Sequence, residues 1–295
     1  MAVSGPVSLV SDVQAELGEG PVWDGTRQCL WFVDIKRPAV WCYDPKDSQL
    51  ARVDAPEQVG WVLPARDGRL LAGLKTGLSL LDVQSGRFEL LDALSGEPDH
   101  NRLNDACVAP DGRVWFGSMD DGEDKITGRF YRFDRGAVAA AGPDQVCITN
   151  GPAVCGSSSR IFFTDTLGKK IFVADLDDEG LPGPASLFAD TAADFPEAYP
   201  DGPTVDAEGC VWTGLWNGRA VARYSAEGEL METVAMPVSN VTKLAFGGAD
   251  LRTAFVTTAR KGLGKSELEA QPLAGGLFSF RSAVAGVPTP EVELA

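Results

Sequence analysis

The sequence predicts an all-β protein, a six-bladed β-propeller with four antiparallel strands in each blade. Three observations lead to this fold class. The chain repeats at intervals of 40 to 50 residues, each repeat contains a polar turn between short apolar runs, and no segment shows helical periodicity of useful length. Four strands in a unit of about 45 residues are typical of a propeller blade.

The repeat is marked by one large apolar residue after a turn in each unit, which we call the anchor. The steps between successive anchors are 40, 44, 47, 50 and 43 residues, so that six units account for the 295-residue chain. The anchors are Trp31, Leu71, Trp115, Phe162, Trp212 and Phe255. A generic β-sandwich or barrel does not predict six matched hairpins at so long a period.

The strands within a unit follow from its turns and its alternation. Turns such as Asp67-Gly68 and Asp111-Gly112 separate the first two strands and predict type I′ hairpins. An alternating third strand such as 170–174 and a weaker fourth strand such as 88–91 follow. The last blade requires closure, and we expect either a strand near residues 6–14 or the tail at 290–294 to complete it. No linker interrupts the repeats, which predicts a single domain over residues 1–295.

Composition excludes several classes of partner. The net charge of −16 provides no basic stripe for nucleic acid. No apolar run approaches the roughly 20 residues of a membrane span, and the N-terminus lacks the basic and apolar regions of a signal peptide. We therefore expect a cytoplasmic monomer that binds neither nucleic acid nor membranes.

Candidate functional residues recur at one position of the repeat. An oxygen-bearing residue followed by Gly-Pro occurs at Glu19, Asn150 and Asp201, and Asn104 occupies the same place without Gly-Pro. These residues precede their anchors by 12, 12, 11 and 11 residues. If the repeat is rotational, their side chains meet at one mouth of the central channel. Two carboxylates that close repel unless a cation or proton lies between them. An all-oxygen set suits Ca²⁺, Mg²⁺, Mn²⁺ or Fe²⁺, although an isolated Asn-Gly or Asp-Gly is usually only a turn.

An ordered set of motifs resembles a known family. The set includes Glu-Gly-Pro-Val-Trp at 19–23, Arg-Leu-Asn-Asp at 102–105 and Asp-Gly-Arg-Val-Trp-Phe-Gly-Ser-Met at 111–119. Together with Asn-Gly-Pro at 150–152 and Tyr-Pro-Asp-Gly at 199–202, these motifs resemble the regucalcin/gluconolactonase family, which includes luciferin-regenerating enzymes. The stretches 56–59 and 257–263 look most like bacterial sugar-acid lactonases of the xylonolactonase and gluconolactonase type.

The resemblance implies a metal-dependent lactonase, a carboxylic ester hydrolase. It implies one divalent ion, Ca, Mg, Mn, Zn or Fe(II), held by Glu19, Asn150 and Asp201. It implies substrate contacts from Arg102 and Asn104, and from an acid in the loop 119–124, for which Glu123 is the candidate. The reaction would be hydrolysis of an aldono-1,4- or 1,5-lactone, such as xylonolactone or gluconolactone, to the aldonic acid.

The same residues suggest a mechanism, and the loops around them suggest what determines specificity. Asp201 could accept a proton from the attacking water as a general base, in addition to its role as a metal ligand. The loops 119–128, 185–200 and 259–273 should cover the mouth, and Trp61, Tyr199 and Trp216 could provide flat walls for a sugar ring. Two alternatives remain open: a metal-dependent phosphotriesterase or aryl esterase, and a non-catalytic calcium-binding protein.

Overall fold

The computed structural model describes residues 4–295, which contain six four-stranded antiparallel sheets. The first strands of neighbouring sheets contact one another in order around a ring, and the first strand of the sixth sheet contacts that of the first. The predicted six-bladed β-propeller is therefore confirmed.

The first three blades follow the chain from their innermost to their outermost strand. Their strands are β2 (Gly18–Asp24), β3 (Cys29–Asp34), β4 (Ala39–Asp44) and β5 (Gln49–Asp54); β6 (Val59–Pro64), β7 (Leu70–Leu74), β8 (Gly77–Asp82) and β9 (Arg87–Asp92); and β10 (Asn101–Val108), β11 (Val114–Asp120), β12 (Gly128–Asp134) and β13 (Ala137–Val146).

The other three blades have the same order, except that the last is completed from the start of the chain. Their strands are β14 (Thr149–Cys155), β15 (Arg160–Asp165), β16 (Lys170–Asp175) and β17 (Ser186–Asp190); β18 (Tyr199–Val205), β19 (Val211–Trp216), β20 (Ala220–Tyr224) and β21 (Leu230–Ala235); and β22 (Val241–Gly247), β23 (Thr253–Thr258), β24 (Leu277–Arg281) and β1 (Ser8–Ser11).

Closure of the ring uses the N-terminal strand, the first of the two predicted possibilities. Strand β1 pairs antiparallel with β24, with Ser8 opposite Ser279. The tail instead crosses to the second blade, where the Val292 amide donates to the Pro64 carbonyl at 2.8 Å. Both terminal segments of the described range, residues 4–295, are thereby fixed to the propeller.

The predicted type I′ hairpins are wrong. At Asp67-Gly68 only the glycine has a positive φ, of 85°. The Gly68 amide donates to the Ala65 carbonyl at 3.0 Å, and the Ala65 amide donates to the Arg69 carbonyl at 3.0 Å. This pattern is a type I turn with glycine in the bulge position, which needs one left-handed residue where type I′ needs two.

The core lies between neighbouring blades. All six anchors are buried in the second strand of their blades. Aromatic rings meet across the boundaries: Trp61 of the second blade lies 5.7 Å from Phe116 of the third, and Trp212 of the fifth lies 5.8 Å from Phe246 of the sixth. Sheets packed face to face in this way bury apolar residues on both faces.

Two short helices occur in the connections that were predicted to cover the mouth. They are α1 (Thr191–Asp194) and α2 (Lys265–Ala270). The Asp190 side chain caps α1 by accepting from the Ala192 amide at 3.2 Å. Neither helix of the described chain is long and apolar enough to span a membrane.

Candidate active site

The first strand of every blade is interrupted at the same position. In each blade, one residue lies three positions before the residue that pairs with the anchor, and the pairing register shifts at this residue or directly beside it. The residues at this position around the ring are Glu19, Gly60, Asn104, Asn150, Asp201 and Thr242. The predicted rotational equivalence of the four oxygen-bearing residues is thus present in the strand register.

In the first and fourth blades the sequence explains the interruption. Gly20 and Gly151 have φ values of 52° and 77°, a left-handed conformation that favours glycine. The proline that follows has no amide hydrogen for the ladder. A β-bulge results, and it redirects the side chain that precedes it.

Two blades present no polar side chain to the mouth at this position. A Cβ at Gly60 would lie 2.6 Å from the Leu103 carbonyl oxygen, so the second blade has no room for a side chain. The Thr242 hydroxyl donates to the Gly18 carbonyl at 2.7 Å and is used in packing the sixth blade against the first. Glu19, Asn104, Asn150 and Asp201 are therefore the members of the ring that present polar side chains to the mouth.

These four side chains line one cavity with a volume of about 150 Å³. Every predicted site residue borders it, and so do seven further residues. The lining comprises Leu17, Glu19, Arg102, Asn104, Glu123, Ile148, Asn150, Thr166, Leu167, Tyr199, Asp201, Trp216 and Lys261.

Hydrogen bonds fix the two amides. Asn104 Nδ2 donates to Asn150 Oδ1 at 3.0 Å and to the Thr149 carbonyl at 2.6 Å. Asn150 Nδ2 donates to Thr166 Oγ1 at 2.9 Å, and this hydroxyl donates to the Pro200 carbonyl at 2.9 Å. Thr166, which the sequence did not indicate, therefore orients Asn150 and connects it to the strand that bears Asp201.

Arg102 is held rigidly beside these amides. Its Nη1 donates to Asn104 Oδ1 at 2.5 Å and its Nε donates to Asp121 Oδ1 at 2.9 Å. The side chain is only 2% exposed, and burial lowers the pKa of its guanidinium below the usual value. Asp121, which also binds Lys36 at 2.5 Å, orients Arg102 from outside the cavity.

The two carboxylates are buried and electrostatically coupled. Burial and the nearby Asp105 raise the pKa of Glu19 to about 8, against smaller opposing effects of Lys243 and Arg102. Burial and the charge of Glu19 raise the pKa of Asp201 well above its ordinary value. Without an added cation, this pair therefore favours protonation over two negative charges.

Asp201 carries the observation that fits a metal ion most directly. Its Oδ1 is buried and receives no hydrogen bond from any group in residues 4–295. A buried carboxylate oxygen without a donor is costly unless the group is protonated or a cation binds it. No three His, Cys, Asp or Glu side chains in that same range form a metal cluster. The candidate ligand set accordingly needs the amide oxygen of Asn150 beside Glu19 and Asp201, an all-oxygen combination suited to a hard cation.

A buried ion pair missed from the sequence lies close to these carboxylates. Lys243 Nζ donates to Asp105 Oδ1 at 2.6 Å and to the Ala106 carbonyl at 3.1 Å. Asp105 Oδ2 accepts from the Gly151 amide at 2.8 Å. Both charged side chains are less than a tenth exposed, and the pair joins the third, fourth and sixth blades around the axis.

The three predicted loops each contribute a residue to the lining of the cavity. The prediction is wrong for one of the three aromatic residues. Glu123, Tyr199 and Lys261 reach the cavity from the three predicted loops, and Trp216 lines it too. Trp61 does not, because it is buried against Phe116 and borders a separate cavity at the opposite mouth. The expectation that Trp61 forms a wall for the sugar is wrong.

Comparison with known proteins places the chain in a family. Residues 17–260 match the model of the SMP-30/Gluconolactonase/LRE-like region, which is more than half of the chain. The chain belongs to this family. The resemblance predicted from its motifs is confirmed.

Relatives and neighbours match along nearly the whole chain. The 6-deoxy-6-sulfogluconolactonase of Pseudomonas putida is 31% identical over 93% of this chain and 94% of its own. The L-arabinolactonase of Azospirillum brasilense is 31% identical, and the match covers 97% of this chain and 95% of that protein. Among solved structures, a calcium-binding protein, regucalcin, from Agrobacterium tumefaciens superposes with a TM-score of 0.93 at 26% identity and covers 100% of both chains.

Proposed function

We propose that this protein hydrolyses a sugar lactone to the corresponding aldonic acid with the help of one divalent metal ion. The observation that carries the proposal is the buried, unpartnered Oδ1 of Asp201, which lies in one cavity with Glu19 and Asn150. The lactonase names of relatives about 31% identical over more than nine tenths of this chain support the same reaction class.

Glu19, Asn150 and Asp201 would hold the ion. In this position a bound divalent cation would polarise the lactone carbonyl as a Lewis acid. It would also relieve the repulsion between the two buried carboxylates, which is why the ligand role suits both of them. Three protein ligands leave coordination positions for water and substrate.

The remaining polar residues would bind and orient the substrate. Arg102 is held by Asp121 and Asn104, so its guanidinium can donate to a ring or hydroxyl oxygen without being reoriented. Asn104 would align the same part of the sugar. Glu123 would accept a hydrogen bond from a hydroxyl group, and the carboxylate oxygen of Asp201 that does not bind the ion would receive the proton of the attacking water.

The test is a substrate panel on metal-stripped protein reconstituted separately with Ca²⁺, Mg²⁺, Mn²⁺, Zn²⁺ or Fe²⁺. Xylono-1,4-lactone and glucono-1,5-lactone should be hydrolysed in a pH-indicator assay with at least one ion and not without metal. A phosphotriester and phenyl acetate in the same panel test the esterase alternative. Binding of Ca²⁺ by calorimetry, with no lactone turnover under any ion, would instead identify a non-catalytic calcium-binding protein, the alternative favoured by the regucalcin neighbour.

A further inference from the structure

Lys261 approaches the cavity from a firmly anchored position on the sixth blade. Its amide donates to the Glu16 carbonyl at 2.8 Å, and its carbonyl accepts from Asn240 Nδ2 at 3.0 Å. The main chain is therefore fixed against the first blade on one side and to the start of β22 on the other. The side chain extends from this base into the cavity that holds Glu19 and Asp201.

The ammonium of Lys261 forms an ion pair with Glu123. Glu123 belongs to the third blade, which lies opposite the sixth in a ring of six, so the pair spans the mouth of the cavity. The backbone of Glu123 is left-handed, with φ of 62°, an unusual conformation for a residue other than glycine. This conformation costs conformational free energy at the residue whose carboxylate contacts Lys261.

The ion pair leaves hydrogen-bonding capacity unused. An ammonium has three N–H groups, and within residues 4–295 that of Lys261 donates only to Glu123 Oε1. In the same range, no group donates to the other carboxylate oxygen of Glu123. The side chains are 26% and 32% exposed, so that solvent or a ligand can reach them.

A polyhydroxylated tail is the chemical group that matches this arrangement. Each hydroxyl both donates and accepts, and can therefore bond to the ammonium and to the carboxylate while leaving the ion pair intact. An anionic group at the end of the tail would be attracted by the ammonium of Lys261 but repelled by the carboxylate of Glu123 next to it. The net charge of the pair is zero, which favours a neutral tail.

We propose that Lys261 is a specificity-determining residue that, with Glu123, binds the hydroxyl groups at the end of a neutral sugar lactone remote from the reacting carbonyl. The inference rests on the proposed lactonase function and names the class of substrate for it. It assigns Lys261 a role in binding and none in the chemical step.

The experiment compares two lactones in the wild type and in Lys261→Met, which keeps the side-chain length and removes the charge. With glucono-1,5-lactone, KM should rise about tenfold or more, as expected for loss of a charged hydrogen bond, while kcat changes little. With δ-valerolactone, which has no hydroxyl groups, kcat/KM should not change. Lys261→Arg should restore part of the lost affinity.

Controls separate this role from a structural one. Lys265→Met alters a lysine in α2, in the same connection between β23 and β24, that is 91% exposed, and it should match the wild type with both substrates. The melting temperature of Lys261→Met should equal that of the wild type, since a partly exposed ion pair stabilises little. Wild-type kcat/KM should be lower for a glucarolactone, which ends in a carboxylate, than for the gluconolactone.

Three results would overturn the proposal. One is equal loss of activity toward glucono-1,5-lactone and δ-valerolactone in Lys261→Met, which would mean that Lys261 only stabilises the structure of its loop. Another is unchanged kinetics with the gluconolactone, and a third is wild-type preference for the glucarolactone. If the wild type reconstituted with each of the five ions hydrolyses neither xylono-1,4-lactone nor glucono-1,5-lactone, the proposed function is rejected, and the inference with it.

Discussion

The two mouths of the central channel are built from the same six strands and differ in almost every property. One mouth contains the candidate active site, where Glu19 and Asp201 are 4% and 5% exposed among amides and an arginine. The other contains an apolar cavity of about 110 Å³, lined by side chains such as Val62 and Val108 and by tail residues 287–290.

The difference begins at the bulge in each first strand. In four of the six blades the residue before the bulge turns a polar group toward one mouth, and the residues after it return to buried pairing toward the other. The Asp105–Lys243 pair borders both regions, since its charges act on Glu19 and its lysine stem lines the apolar cavity. We infer that chemistry is concentrated at one end of the channel and stability at the other.

The largest expected effect is on activity, at the polar mouth. Asp201→Asn keeps the shape of the side chain but removes a charge from the candidate metal site. The loss of several kcal/mol of transition-state stabilisation should lower kcat/KM for a sugar lactone by about 10³-fold, with an unchanged far-UV spectrum. Asp250→Asn, at an exposed turn of the sixth blade, is the matched control. Near-normal turnover by Asp201→Asn would remove this residue from the site.

The next effect is on stability, between the two mouths. Lys243→Met leaves Asp105 buried without its counter-ion, and loss of one partner of such a pair costs about 3–5 kcal/mol. Urea unfolding should show this decrease in the free energy of unfolding. The double variant Asp105→Asn with Lys243→Met should lose less than the sum of the two single changes. If the two losses in the free energy of unfolding were fully additive, Asp105 and Lys243 would not stabilise each other.

The smallest effect is expected at the apolar mouth. Val292 is fully buried where the tail crosses the second blade. Val292→Ala should cost about 1–3 kcal/mol through lost burial and a residual cavity, a fall of a few degrees in melting temperature, with kcat unchanged. Val287→Ala, at a residue 46% exposed, should have little effect. Loss of activity in folded Val292→Ala would show that the two mouths are not separate in function.

Much of this architecture could be predicted because short sequence motifs mark each unit of the repeat. Gly-Pro after an oxygen-bearing residue marks the bulge, and the anchor residues mark the second strands, so the convergence of Glu19, Asn150 and Asp201 follows from spacing. Turn type could not be obtained in this way, because Asp-Gly is compatible both with type I′ and with a type I turn plus a bulge.

Contacts between distant blades left no comparable signal. Lys243 and Asp105 are 138 positions apart, as are Lys261 and Glu123, and the sixth blade has no Gly-Pro motif to show that its residues face the axis. The prediction for Trp61 is wrong because a tryptophan near the start of a first strand can face either the mouth or a neighbouring blade. The unity of residues 1–295 as one folding domain and the monomeric state stay predictions.

The metal site proposed at Glu19, Asn150 and Asp201 is tested most directly by an anomalous difference map from a crystal of this protein soaked in Mn²⁺. We expect a single strong peak at the polar mouth, within coordination distance of oxygen atoms from Glu19, Asn150 and Asp201. A map with no peak between these three side chains, or with its strong peak at another place in the molecule, would contradict the proposed site.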